Sequence, residues 1–478
     1  MWIFAVGQLG WSILGGIINT WLVTFYLPTK TDIDGGAIQY IAPGLIIGGF
    51  LTILGLITAL SRIFDAVTDP LIASLSDRCK SKRGRRIPFM QWSAVPFAVI
   101  TVLLFCAPIE ETSGINVAWI SIFIVLFYLF MTMYCTPYNA LISEFGKTQE
   151  DRMNISTFIS LTYFAGTLLA YTPFLFAGLL KNAVGFAWSY RVCFIVLAVV
   201  ALVAMLLPTF LLKEKEFVDS KPSESNMFKS LTATFKNKDF RTFVGSDIMY
   251  WVGLTLFQTG LPFFVKVSMG LDELWVMVLM GTMTVLSAVC YPFVTKFVKK
   301  FGKKKLVIAG FVGLAIAYAI TALTNIPGII AEPGGILSYV FGFVICIVAA
   351  FPMALLGIIP QSMVADVAEA EAVVTGENRE GMFFAARTFS MKFGQSLAML
   401  VFTSLAIIGV AQNAEANEIT PSITGLLVVA CVAVGFCLAG AAILLLYREK
   451  KIMKTIAKES DKEFMDAIEK EKEPASEE

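Results

Sequence analysis

Histidine is absent from all 478 residues. That excludes imidazole proton relays, Ser–His nucleophiles and the commonest zinc ligand together. Charge is also scarce. Asp, Glu, Lys and Arg make up 15% of the chain, against 57% hydrophobic residues, where a soluble domain has roughly 25% charged and 45–50% apolar. Eight cysteines are present, yet none forms a Cys-x-x-Cys pair. Cys106, Cys193, Cys290 and Cys431 lie inside apolar segments, so neither a metal site nor a disulfide framework is expected. No basic segment or cleavage site marks the first apolar run, which opens at Trp2, so it reads as a membrane helix and not a leader. The net charge of +1 says nothing about partners; its distribution does.

Apolar runs of about 20 residues are abundant, and mean hydropathy is +0.75. The expected fold is an all-α polytopic membrane protein. Twelve helical spans can be drawn at roughly 2–27, 41–74, 88–107, 115–141, 154–180, 187–211, 242–266, 273–298, 306–325, 336–361, 381–410 and 422–447. Lys and Arg concentrate in alternate loops. One set holds Arg78 to Arg86, Lys147, Arg152, the stretch Lys213 to Arg241, Lys296 to Lys305, Arg379 and the tail; the other holds little beyond Lys30, Lys181, Arg191 and Lys266. Basic loops stay inside, so both termini are expected in the cytoplasm, with the protein in the plasma membrane. The organisation expected is a six-helix half over 1–212, a cytoplasmic central loop over 213–240, a second six-helix half over 241–447 and a cytoplasmic tail over 448–478. Basic–Gly–basic loops around Gly84 and Gly302, after the second and eighth spans, fit two related halves about a central cavity. The tail alternates Lys and Glu and is expected to be a solvated helix or disordered.

Within this apolar background, one stretch concentrates charge: Arg62-Ile63-Phe64-Asp65-Ala66-Val67-Thr68-Asp69-Pro70. On a helix Asp65 and Asp69 share a face, with Arg62 one turn before and Thr68 beside them. Two carboxylates in a low dielectric need a proton, a cation or basic partners. Pro70 frees the Ala66 carbonyl, which adds an oxygen suited to a hard cation. The competing reading is a static buried salt-bridge network. A second isolated charge, Lys392, lies too deep in the eleventh span to reach an interface, and Asp65 and Asp69 are its expected partners. A lysine that pairs with the acids in one state and competes with a cation in another would couple ion binding to helix movement. Sparse polar and aromatic groups that could line a cavity or bridge helices include Gln8, Ser12, Asn19 and Thr20; Thr132, Thr136, Tyr138 and Asn139; and Asp247, Tyr250, Trp251 and Gln258. Trp11 belongs either to the cavity or to an interfacial belt. Asp77, Arg78, Glu144, Asp366 and Arg379 sit at cytoplasmic helix ends and read as gate ion pairs or as ordinary surface pairs.

The segments Asp65-Ala66-Val67-Thr68-Asp69-Pro70, Ser76-Asp77-Arg78, Gly84-Arg85-Arg86, Thr136-Pro137-Tyr138, Ala365-Asp366, Arg379-Glu380-Gly381-Met382-Phe383-Phe384 and Lys392-Phe393-Gly394-Gln395 are specific. Together they resemble the glycoside–pentoside–hexuronide:cation symporters, the melibiose-permease-like family of the major facilitator superfamily, over essentially the whole chain. The resemblance implies a twelve-helix alternating-access transporter. It places Asp65 and Asp69 on the cation-site carboxylates, Thr68 where the family has an Asn ligand, Thr132 on a hydroxyl ligand and Lys392 on the lysine of the eleventh helix. The sugar set matches poorly: Ser12 and Cys135 stand where the family has Asp, Asn139 where it has Trp, and Ile159 near its Arg. The family also holds sodium-dependent lysolipid symporters, so membership leaves the solute open.

The function expected is secondary active symport of a small organic solute with Na⁺ or H⁺ by alternating access. Asp65, Thr68, Asp69 and Thr132 would bind the cation, and Lys392 and Arg62 would couple it. Ser12, Trp11, Cys135, Tyr138, Asn139 and Gln258 are candidates for the solute. A sugar, glycoside or uronide is favoured on family membership; the alternative is a lysolipid or another amphiphile. The expected partners are the solute and the lipid bilayer, with no nucleic acid, no obligate protein and no cofactor besides the coupling ion. An intramembrane enzyme is disfavoured, because neither a nucleophile–base pair nor a metal-ligand cluster is available.

Overall fold

The structure is a computed structural model that describes residues 2–42, 44–47, 51–77, 79, 81, 83–145, 149–212, 214, 234–326, 328–330, 332–375, 380–409 and 420–457. Its helices are α1 (Trp2–Tyr26), the short α2 (Lys30–Asp34), α3 (Ile53–Asp77), α4 (Ile87–Leu103), α5 (Gly114–Phe145), α6 (Gln149–Ala170), α7 (Pro173–Val184) and α8 (Phe186–Leu211). The second group is α9 (Lys238–Phe263), α10 (Glu273–Phe301), α11 (Lys303–Thr324), α12 (Ile336–Thr375), α13 (Glu380–Leu405) and α14 (Ile423–Leu444). Each expected span contains a described helix. Among the described residues, nine helical segments are long and apolar enough to cross a membrane.

The α1 helix packs on α6 and α8, α3 on α5, α4 on α5 and α8, and α7 on α8. In the second group α11 packs on α12 and α14, α9 on α13 and α14, and α10 on α12. The two groups meet chiefly along α3 and α13, with smaller contacts of α1 with α9 and α7 with α10. The α3–α13 seam is tight because Gly55 has no side chain: a methyl there would lie 2.2 Å from Thr403 Oγ1. Below, the side on which α1 begins is the near face, and the side on which α3 begins is the far face.

Three expected boundaries change. The second span does not start at 41. Leu45–Ile47 and Leu51–Thr52 pair as a small antiparallel two-stranded sheet, and the helix begins at Ile53. Pro43, Gly44, Gly48 and Gly49 disfavour helix there, although the apolar run continues unbroken. The fifth span is broken at Tyr171 and Thr172, and Pro173 restarts the chain as the first residue of α7. The tenth span runs on to Thr375, so α12 has 40 residues and is about 60 Å long, well beyond a bilayer core. Most of the expected central loop, and the tail from 458, lie outside the described residues.

The two Gly-centred loops share a device. Glu214, after α8, accepts from the backbone N–H groups of Arg85, Arg86 and Ile87 at 2.7–3.2 Å and so caps α4. Glu449, after α14, accepts from those of Lys303 and Lys304 at 2.7 and 3.2 Å and caps α11. A carboxylate on the orphan donors of a helix start satisfies them and complements the helix dipole. Gly84 has φ +119° and lies against Glu214, where a methyl would sit 2.1 Å from the carboxylate oxygen. Gly84→Ala is therefore expected to cost about 1–3 kcal/mol in backbone strain alone, with further loss from the displaced cap. Gly302→Ala should cost less, since Glu449 stands 3.4 Å off. Thermal unfolding in detergent checks the order; equal stability of both variants with the native chain would contradict it.

Candidate functional site

The α3 helix has its polarity reversed relative to a soluble helix. Leu60, Ile63, Phe64, Val67, Leu71 and Leu75 are exposed, whereas Ser61, Arg62, Asp65, Thr68 and Ser76 are buried. An apolar outer face suits lipid, and the buried polar stripe must then find its partners inside the bundle. It finds them on α5, which belongs to the same group, and on α13 across the seam.

Asp65 is completely buried, and Asp69 is about a quarter exposed at its side chain. Lys392 of α13 reaches between them, with Nζ 2.8 Å from Asp65 Oδ2 and 2.6 Å from Asp69 Oδ2. Thr132 of α5 donates to Asp65 Oδ1 at 2.6 Å, and Thr136, one turn further, donates to Asp69 Oδ1 at 3.3 Å. The ammonium thus stands where a small cation would meet both carboxylates. Arg62 does not join them. Its guanidinium donates to Asn19 Oδ1 at 2.6 Å and lies 4.7 Å over the Tyr128 ring. Counting Arg62, two positive charges balance two negative ones. A cation entering the centre would therefore displace the lysine rather than simply add to it.

Thr68 has turned back on its own helix, donating to the Asp65 carbonyl at 3.0 Å. Its hydroxyl is buried and is not bonded to either carboxylate. Three polar contacts of this stretch are not assigned by the sequence reading: Thr136 on Asp69, and Asn19 and Tyr128 on Arg62. Thr136 and Asn19 stand out in sequence only as polar residues of apolar helices, and the 132–136 spacing, matching 65–69, is the signal for Thr136. Among the described residues no group of three His, Cys, Asp or Glu gathers as a metal centre. The oxygens gathered here, from two carboxylates and two or three hydroxyls, suit a hard monovalent ion or a proton.

The candidate solute residues divide. Trp11 is half-buried, its ring 6.2 Å from that of Tyr163, and its indole N–H has no partner among the described residues. Gln258 is half-buried on α9 and Asn139 is exposed on α5. Ser12 is buried against Gly166 of α6 and donates to the Leu9 carbonyl at 2.9 Å. Tyr138 is fully buried, donating to the Phe4 carbonyl at 2.8 Å and stacked on the Phe4 ring at 4.3 Å, so it ties α5 to α1. Cys135 is buried beside the acidic pair. Of the gate candidates, Arg78, Arg379 and the side chains of Asp77 and Glu144 lie outside the described residues. Asp366 pairs with Lys303 at 2.5 Å, a partner in its own helix group rather than across the seam.

A bundle of two helix groups, meeting along a seam that carries a shared buried charge centre, defines a polytopic membrane transporter of the major facilitator fold. Solved structures agree on the fold. The nucleoside transporter NupG superposes with a TM-score of 0.64 at 16% identity, covering 94% of this chain and 100% of that one. A bacterial homologue of the lysosomal transporter Spinster, in an inward-facing form, gives 0.60 at 15% identity over 95% and 96%. The chain belongs to the family described as MFS/sugar transport protein, whose model matches residues 3–451. Relatives include a symporter, YjmB, of Bacillus subtilis (26% identical, 86% of this chain and 83% of the relative). An isoprimeverose transporter of Lactiplantibacillus pentosus is 24% identical over 94% and 88%. A sodium-dependent lysophosphatidylcholine symporter of Gallus gallus is 24% identical over 89% of each.

Proposed function

We propose that the protein imports a small organic solute across the plasma membrane by symport with Na⁺ or H⁺, its near face and both termini in the cytoplasm. The observation that carries this reading is the bridge of Lys392 to both Asp65 and Asp69 across the α3–α13 seam. A cation that takes the place of the ammonium releases α13 from α3, so ion binding changes how the two helix groups hold one another. The orientation follows the excess of Lys and Arg in the near-face loops. Asp65, Asp69, Thr132, Thr136 and the Thr68 oxygen are the proposed cation ligands, and Lys392 is the tethered competitor.

A sugar, glycoside or uronide is the proposed solute, in keeping with relatives such as the isoprimeverose transporter. Trp11, Asn139 and Gln258 are its favoured contacts, whereas Ser12 and Tyr138 act through packing. A lysolipid is the second reading, supported by the relative in Gallus gallus and by the apolar Ile159. Uptake by proteoliposomes, with sodium and proton gradients imposed separately, tests both. Accumulation of a glycoside that either gradient drives supports the main reading. Competition by lysophosphatidylcholine but by no sugar would replace it with the second, and accumulation indifferent to both gradients would overturn cation coupling.

A further inference from the structure

The far face holds a charge cluster that the cation centre does not use. Lys266 projects from a π-helical turn, Phe264–Ser268, that follows Pro262 at the far end of α9. Such turns are rare and concentrate at functional positions. Its Nζ pairs with Asp32 Oδ1 of α2 and stands 3.4 Å from Glu273 Oε1 at the start of α10. Tyr190 of α8 donates to the same Glu273 oxygen at 2.6 Å. The Lys266 and Asp32 side chains are each 6% exposed, and Glu273 is 20% exposed. The other oxygen of Asp32 is fixed by Thr29, which donates from its hydroxyl at 2.7 Å and from its backbone N–H at 3.0 Å. Asp32 and Tyr190 come from the first helix group and Lys266 and Glu273 from the second, so every bond between these pairs except Lys266–Glu273 crosses between groups.

We infer that Asp32, Lys266, Glu273 and Tyr190 form an extracellular lock that holds the far face shut and sets the balance between outward- and inward-open states. The inference rests on the transport reading and its orientation. A buried ion pair adds little net stability to a fold, but removing one partner leaves an uncompensated charge and is strongly destabilising. Here that penalty falls only on the closed far face, because opening hydrates all three charges. Loss of Lys266 leaves Asp32 and Glu273 facing one another in the closed state, so it favours opening more than loss of Asp32, which leaves Lys266 with Glu273. Asp32, Lys266 and Tyr190 of the lock also wall a small cleft, together with Trp21, Thr24, Phe25 and Phe186. Thr24 is buried there and becomes accessible from the far side when the lock parts.

The test places a reporter cysteine at Thr24 in the full chain with its native cysteines replaced by serine. Labelling by a membrane-impermeant maleimide is followed in right-side-out and inside-out vesicles, and gradient-driven uptake is measured alongside. Lys266→Gln is expected to speed labelling from the outside by about tenfold or more, Asp32→Asn by less, while Lys266→Arg, which keeps the charge, stays protected. Labelling within about twofold of the parent in both neutralised variants would overturn the lock. Faster labelling in a chain whose parent shows no coupled uptake would sink the symport reading and leave the lock standing; flat labelling in a chain with normal uptake would sink the lock alone.

Discussion

Replacing Asp69 or Asp65 by asparagine is expected to reduce gradient-driven accumulation to mere equilibration while solute still exchanges across the membrane. With one carboxylate gone, Lys392 keeps a single partner, and the pair of carboxylates that a cation needs in place of the ammonium is lost. The two variants should differ in cost. Asp69 is partly exposed, and its other bond, to Thr136, is long at 3.3 Å. Asp65 is fully buried and accepts both Lys392 and Thr132 at short range, so Asp65→Asn loses a charge-assisted bond worth about 1.5–3 kcal/mol as well. Both variants lose an ion pair with Lys392, and Asp69→Asn should melt below the native chain by less than Asp65→Asn does. Accumulation ratios under a sodium or proton gradient, set beside exchange of labelled solute, check this. Undiminished accumulation in Asp69→Asn would remove that residue from coupling.

Lys392→Ala should have an effect of similar size and opposite character. Without the ammonium, Asp65 and Asp69 face one another across one helical turn with only hydroxyl donors for company. Breaking a buried pair by removing one partner costs about 3–5 kcal/mol, and any cation that enters recovers part of it. The variant should bind the coupling cation at least about tenfold more tightly than the native chain, because the tethered competitor is gone. It should fail to accumulate solute, since the empty carrier can no longer neutralise its centre to return. The measurement is the shift in melting temperature with sodium and with pH, compared between variant and native protein. An unchanged cation response with normal uptake would make the lysine a structural residue.

How far these features could be read from sequence depends on how much each residue contrasts with its neighbours. Asp65, Asp69 and Lys392 stand out because they interrupt membrane-length apolar runs, and the structure brings them together within 2.8 Å. Asp32, Lys266 and Glu273 sit at the ends of such runs, where charge is common, so sequence alone does not single out the far-face cluster. A signal existed, since Lys266 is one of very few basic residues on the side poor in Lys and Arg. The strand pair 45–47 and 51–52 is not legible in sequence because an apolar run has no period by which strand and helix can be told apart, and only Pro43 and the paired glycines hint at it. The solute candidates show the limit most clearly. Alignment alone cannot tell that Ser12 points into the α1–α6 contact or that the Tyr138 hydroxyl is already used by Phe4. Both facts come from packing between helices distant in sequence.

The acidic pair on α3, bridged by Lys392, is the proposed coupling-cation site. Its most direct test is a titration of the purified native chain and of Asp69→Asn with sodium at fixed pH, and with pH in the absence of sodium, reading the melting temperature. One of the two cations is expected to stabilise the native protein saturably, and this response is expected to be lost in Asp69→Asn. A variant that responds to the same cation, with the same midpoint as the native chain, would contradict it.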